Sequence, residues 1–117
     1  KVRLLVALRA DGTVAGVRVT QHKETPGLGD YIEVRKDKNK SRPWITQFSQ
    51  LGFDSVPSEK WRVKKDGGRF DQMSGATISA RAVTNASGRA LAWAIRHKDK
   101  LFALPADSRF EEQGGKP

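Results

Sequence analysis

The sequence contains no cysteine and only two histidines among its 117 residues. The absence of thiols excludes disulfides, thiolate zinc sites and iron–sulfur clusters ligated within the chain. His22 and His97 lie far apart, and neither belongs to a His-Glu-x-x-His spacing. No apolar run approaches the roughly 20 residues that a membrane-spanning helix needs. We therefore expect neither a metal site nor a membrane span within this sequence.

Positive charge dominates the sequence, which has 22 lysines and arginines but only 13 aspartates and glutamates, a net charge of +9. Such a balance attracts nucleic acid, anionic lipid or acidic protein surfaces. The densest basic segment, residues 35–42, includes Asp37 and Asn39 but no aromatic residue that could stack on a base. This favours a solvated loop, and we expect no nucleic acid as a partner. A basic module that binds polyanions, without a redox role, remains the alternative function.

The length suits one domain with one hydrophobic core. Four apolar residues alternate with others at the start of the chain and predict a strand: Val2, Leu4, Val6 and Leu8. Asp11-Gly12 then predicts a two-residue hairpin turn. The return strand is predicted by three more apolar residues on one face: Ala15, Val17 and Val19.

Two aromatic segments follow. Pro43 near a first helical position, with Ser41 as its cap, predicts a short helix that places Trp44 and Phe48 in the core. A strand is expected over residues 61–64, with the side chains of Trp61 and Val63 pointing inward.

Helical periodicity dominates the end of the chain. It predicts a helix over residues 77–97 whose apolar face consists of Ile78, Ala82, Ala86, Ala90 and Trp93. Together the elements predict an α+β fold, in which a twisted, mainly antiparallel sheet is packed by a long C-terminal helix and a short helix.

The segment just before the long helix is rich in hydroxyls: residues 71–77 read Asp-Gln-Met-Ser-Gly-Ala-Thr. Serine and threonine commonly cap helices, so a plain helix start is one interpretation. The free N–H groups and positive dipole end also favour an anion such as phosphate. A second glycine-bearing segment, Glu-Thr-Pro-Gly-Leu-Gly-Asp at residues 24–30, predicts an irregular loop with exposed backbone.

With these two segments, the chain resembles the FMN-binding domains of bacterial respiratory complexes over residues 6–94. The C subunit of the sodium-pumping NADH:quinone oxidoreductase shares both. The run Lys-Lys-Asp-Gly-Gly at residues 64–68 resembles more closely the family of the G subunit of the Rnf ion-translocating electron transport complex.

The resemblance implies a covalent flavin. In that family a separate flavin transferase joins FMN through its phosphate to the last threonine of the motif, which is Thr77 here, and the glycine-bearing loop lies against the isoalloxazine ring. Asp71 is expected to brace the motif through backbone N–H groups. Carried over by position, the FMN-binding residues are Thr77 as the covalent acceptor, with Ser74, Gly75, Ala76, Ile78, Ser79, Glu24, Thr25, Pro26, Gly27, Leu28, Gly29 and Lys64. No catalytic or metal-binding residue is implied.

The resemblance also implies a role and a place. The expected function is an electron-carrier subunit in a membrane-bound complex that couples electron transfer of the ferredoxin/NAD type to ion translocation, without independent catalysis. Its expected partners are the other Rnf subunits and the flavin transferase. We expect residues 1–104 to form the FMN-binding domain and residues 105–117 a polar tail. The domain is expected on the periplasmic side of a bacterial inner membrane, held by an anchor outside this sequence.

Overall fold

The computed structural model describes residues 2–24, 26–73 and 76–97. Strands β1 (Arg3–Leu8) and β2 (Val14–Gln21) form an antiparallel sheet, and helix α1 spans Thr77–Arg96. Between β2 and α1 lie short 3₁₀ helices at Asp30–Ile32, Trp44–Phe48, Ser58–Lys60 and Lys64–Asp66. This arrangement confirms the predicted α+β fold class. The predicted tail, residues 105–117, lies outside the described residues.

The hairpin connection is one residue longer than predicted. Gly12 N–H donates to the Arg9 carbonyl at 3.1 Å, and Arg9 N–H donates to the Thr13 carbonyl at 2.9 Å. Of the expected turn pair, only Gly12 has a positive φ, 87°. Asp11 instead accepts the Thr13 N–H at 3.0 Å. The loop is therefore a tight turn followed by a left-handed glycine, a common three-residue hairpin.

The core lies between the hairpin, α1 and a row of aromatic rings. Helix α1 packs on β1, and the 3₁₀ helix Trp44–Phe48 packs on β2. Edge-to-face contacts with centroids 5.4 Å apart join Tyr31 to Trp44 and Trp44 to Phe48. Phe48 continues the row to Phe70 at 4.7 Å. The rings thus connect the sheet side of the domain with the segment that leads into α1.

Trp61 and Val63 are buried as predicted, but they do not lie in a regular strand. Val63 makes one isolated parallel bridge to Phe70, and the 3₁₀ helix Lys64–Asp66 begins directly afterwards. Gly67 then takes a left-handed conformation with φ of 88°, and Gly68 lies against the Arg62 backbone. The two glycines turn the chain back at once, so no strand can extend.

The short aromatic helix is 3₁₀, and its cap is not Ser41. Asp37, only 1% exposed, accepts the Trp44 N–H at 2.6 Å. Its other carboxylate oxygen accepts the Asn39 N–H at 2.9 Å. Ser41 donates instead to the Asn39 side chain at 3.2 Å. The basic segment expected as a solvated loop is therefore anchored by a buried carboxylate.

Helix α1 forms where predicted and ends one residue earlier, but only Ala86 and Ala90 of its predicted apolar face are buried. Ile78 is 77% exposed and Trp93 38% exposed. The buried stripe recurs at alternating spacings of three and four residues: Ala80, Val83, Ser87, Ala90 and Ala94. From Ile78 to Ala90 the predicted set advances in steps of four. Each step overshoots a turn of 3.6 residues by about 40°, so the set spreads around the helix instead of following one face.

Candidate functional site

Buried aromatic side chains hold the segment of residues 71–77, called here the acceptor segment. The Trp44 indole N–H donates to the Asp71 carbonyl at 2.7 Å. The Tyr31 hydroxyl donates to the Ala76 carbonyl at 3.0 Å and accepts the Met73 N–H at 3.4 Å. Ala76 N–H also donates to the Met73 carbonyl at 3.0 Å. The segment is thus fixed on both sides of Ser74 and Gly75, which lie outside the described residues.

Tyr31 is suited to this role because it stays neutral. Burial raises the pKa of its phenol, and the Asp37 and Glu24 carboxylates add to that effect against the hydrogen bond from Met73. The hydroxyl therefore remains a donor well above neutral pH.

Thr77 is the first residue of α1 and is partly exposed. Within the described ranges its hydroxyl makes no hydrogen bond, and Ala76, the residue before it, offers no side-chain cap. The N–H groups of a first helical turn lack partners inside the helix and carry its positive dipole end. Hydroxyl and N–H groups together form an environment suited to a phosphate.

The glycine-bearing loop, residues 24–29, reaches the same end of α1; Thr25 lies outside the described residues. Ser79 donates its hydroxyl to the Glu24 carboxylate, so this serine is engaged by protein. Gly29 is buried, and a Cβ there would overlap the Ser79 hydroxyl and lie 3.1 Å from the Glu24 carboxylate. The structure therefore brings together the two segments that carry the sequence motifs.

The rest of that loop faces outward. Pro26 and Gly27 are exposed, and Leu28 is 61% exposed. At its start, the His22 Nδ1 accepts the Glu24 N–H at 3.1 Å, which places the ring proton on Nε2, 3.1 Å from the Glu33 carboxylate. His22 thus fixes the loop entrance rather than facing the cleft described next.

A cleft of about 670 Å³ lies between residues 37–47 and residues 71–73. Its walls combine apolar surfaces from Pro43, Trp44 and Met73 with the polar groups of Arg42 and Gln47. The volume falls in the usual range for small-molecule sites, which are mostly apolar with a few placed polar groups.

Gln47 supplies the clearest sign of a missing partner. Its side-chain oxygen accepts the Asp71 N–H at 3.1 Å, which fixes the orientation of the amide. The amide nitrogen is buried and has no hydrogen-bond partner within the described residues. An unpaired buried donor is costly, so a ligand carbonyl or ring nitrogen would satisfy it. The sequence reasoning missed this residue, because residues 41–48 read only as a capped helix.

Two charged pairs lie at or near the acceptor segment. Lys64, expected near FMN, contacts the Asp71 carboxylate at 2.7 Å. Asp71 therefore accepts from a lysine, and within the described residues no backbone N–H donates to its carboxylate. Arg81 donates to Asp66 from Nε at 2.6 Å and from Nη2 at 3.0 Å. These hydrogen bonds lower the pKa of Asp66 and raise that of Arg81.

Neither a membrane span nor a metal cluster occurs among residues 2–24, 26–73 and 76–97. No helix in these ranges is long and apolar enough to cross a membrane. No group of three or more histidine or acidic side chains there could hold a metal ion.

The FMN-binding domain family matches residues 1–92. The chain belongs to this family, and FMN is its cofactor. The cleft size, the hydroxyl at the start of α1 and the unpaired Gln47 donor all fit a phosphorylated ring system.

Three similar proteins share one description, the G subunit of an ion-translocating oxidoreductase complex. That of Shewanella piezotolerans is 42% identical over 112 residues, covering 96% of this chain and 50% of the relative. That of Escherichia coli is 49% identical over 105 residues, 90% of this chain and 48% of the relative. That of Cereibacter sphaeroides is 46% identical over 108 residues, covering 92% of this chain and 47% of the relative. The chain thus spans about half the length of these relatives.

Proposed function

We propose that this chain is an electron-carrier domain whose FMN is joined by a phosphoester bond to Thr77. The main support is that buried side chains hold the acceptor segment in place. Tyr31 and Trp44 fix its backbone, and it ends at a partly exposed hydroxyl on the first turn of a 20-residue helix. A phosphoryl group there would be stabilised by the helix N-terminus.

The residues around Thr77 would position the rest of the cofactor. The cleft beside Trp44 and the loop at residues 24–29 flank the acceptor segment, so the isoalloxazine ring would lie along one of these surfaces. Gln47 would donate to a polar atom of the ring, and Trp44 would offer an apolar wall. The flavin supplies one- and two-electron transfer when bound, and the chain supplies position and electrostatics. Ser74, Gly75, Thr25 and the other motif residues remain proposed contacts.

Attachment requires a second protein. Within the described residues, neither a metal cluster nor a nucleophilic triad accompanies Thr77, and an unactivated hydroxyl is a weak nucleophile. A flavin transferase would therefore make the bond. By similarity to the G subunits named above, the domain would serve in an Rnf-type complex that couples ferredoxin/NAD electron transfer to ion transport. It would lie on the periplasmic side of a bacterial inner membrane.

Co-expression of this chain with a flavin transferase tests the proposal. We expect flavin absorbance that persists after denaturation and removal of small molecules. Thr77→Ala should abolish it, whereas Thr77→Ser should retain part of it because a hydroxyl remains. Thr20→Ala, a matched change at an exposed threonine of β2, should behave as wild type.

Two results would contradict the proposal. One is covalent flavin that survives in Thr77→Ala. The other is a wild-type chain that stays colourless beside an active transferase yet binds nucleic acid or anionic vesicles in a salt-sensitive manner, which would support the polyanion-binding alternative.

A further inference from the structure

Arg81 lies on the same face of α1 as Thr77, one turn further along the helix. Side chains four residues apart on a helix have Cβ atoms about 5–6 Å from each other. Helical side chains also point back towards the N-terminus, so a long side chain covers the turn before its own Cα. From this geometry we infer that the guanidinium of Arg81 extends towards the hydroxyl of Thr77.

Asp66 fixes the direction of this guanidinium. Its two carboxylate oxygens accept from Arg81 Nε at 2.6 Å and Nη2 at 3.0 Å. This fork contact occupies one edge of the planar group. The third nitrogen, Nη1, makes no hydrogen bond within the part of the chain that the structure describes, so its two N–H groups remain for a further acceptor.

The Asp66–Arg81 pair is partly exposed and contributes little to stability. The Arg81 side chain is 39% exposed and the Asp66 side chain 31% exposed. Exposed ion pairs contribute little to folding, because water screens them and the side chains lose entropy. The pair instead fixes the orientation of the Arg81 guanidinium. Lys64, the cation expected near FMN from the sequence, contacts Asp71 at 2.7 Å.

We propose that Asp66 holds Arg81 so that its Nη1 binds the FMN phosphoryl group during transfer to Thr77 and stays bound to the phosphodiester afterwards. This rests on the proposed attachment at Thr77. Arg81 is then a binding residue for the phosphoryl group, and Asp66 is a positioning residue that acts through it.

The transfer balances with an activated FMN donor, such as a flavin dinucleotide. The bond from Thr77 Oγ1 to the FMN phosphorus forms, and the pyrophosphate bond to the nucleoside monophosphate breaks. The hydroxyl proton passes to a base of the transferase. Negative charge builds up on the phosphoryl oxygens during this step, and a fixed guanidinium donor stabilises it.

Transfer kinetics with purified transferase and flavin dinucleotide test the role of Arg81. We expect Arg81→Gln to lower kcat about 100-fold, the lower end of the range for losing one fixed donor. The KM for the acceptor chain should change little, because the folded surface is retained. Arg81→Lys and Asp66→Asn should give intermediate rates. The matched control is Arg96→Gln, the same change on the same helix about 28 Å from Thr77.

Phosphorus NMR gives a second readout that a merely structural role would not move. The phosphodiester resonance of the flavin-loaded chain should shift in Arg81→Gln and stay in place in Arg96→Gln. The inference would be overturned if Arg81→Gln matched Arg96→Gln in both transfer kinetics and phosphorus resonance. Covalent flavin at Thr77 would then still stand. If the wild-type chain accepts no flavin, the proposed attachment itself fails, and this inference with it.

Discussion

Replacing Gly29 by alanine should loosen the contact between the glycine-bearing loop and the start of α1. Gly29 is buried, and an added Cβ would overlap the Ser79 hydroxyl and lie 3.2 Å from the Glu24 Cβ. The backbone at Gly29, with φ of −94°, suits alanine, so the perturbation is steric alone.

The size of the effect follows from how the clash is relieved. If the loop stays in place, overpacking should cost about 1–3 kcal/mol of unfolding free energy. If the loop moves away, the hydrogen bond from Ser79 to the Glu24 carboxylate is lost, and a bond to a charged group contributes about 1.5–3 kcal/mol. Both routes predict a loss of about 2 kcal/mol.

Urea unfolding followed by tryptophan fluorescence measures this loss. The matched control is Gly16→Ala in β2, where an added Cβ meets no atom within 4 Å. That change should be neutral or stabilise by up to about 1 kcal/mol, because it restricts the unfolded chain. Equal midpoints and slopes for the two variants would refute the close packing of residues 24–29 on α1.

Two further predictions concern titrating groups. Folding raises the pKa of Tyr31, so its contribution to stability should be complete below the usual value of 10.0 and decline as pH rises through the folded value. Absorbance titration of this sole tyrosine should show ionisation at higher pH in the folded than in the urea-unfolded chain, and coincident curves would contradict the prediction. Tyr31→Phe should lower the unfolding free energy by about 1 kcal/mol and abolish the difference between the two titrations. Folding lowers the pKa of Asp66, so its contribution should be present above 3.8 and be lost as pH falls through the folded value. Carboxyl NMR should show this pKa return towards 3.8 in Arg81→Gln, and no change would exclude the fork contact as its cause.

Sequence patterns predicted the elements that depend on local periodicity. The alternation of Leu4 and Val6 identifies β1, and the alanine-rich repeat identifies α1 to within one residue. The inward direction of Trp61 and Val63 was also correct. These features depend on burial of one face, which a sequence records directly.

Features that depend on distant partners were not predictable. Asp37 takes the capping role expected of Ser41, because the chain between them folds over the start of the aromatic helix. Lys64 contacts the Asp71 carboxylate, seven residues further along the chain, and no local pattern encodes that contact. Tyr31 meets Ala76 across 45 residues of sequence, and no local pattern encodes such a pairing.

The two motif segments of the candidate site stand out in the sequence, but the residues that line its cleft do not. Residues 24–29 and 71–77 stood out because glycine and hydroxyl residues interrupt regular patterns. Gln47 did not stand out, since a glutamine beside aromatic residues is unremarkable until its amide is oriented by the Asp71 N–H. Arg81 carried one sequence signal, its spacing of four residues from Thr77.

Peptide mass spectrometry of the wild-type chain, matured with an active flavin transferase, tests the central claim most directly. We expect the peptide containing Thr77 to gain the mass of FMN less one water, with fragment ions placing the addition on that threonine. An unmodified Thr77 peptide, or a flavin on any other residue, would contradict it.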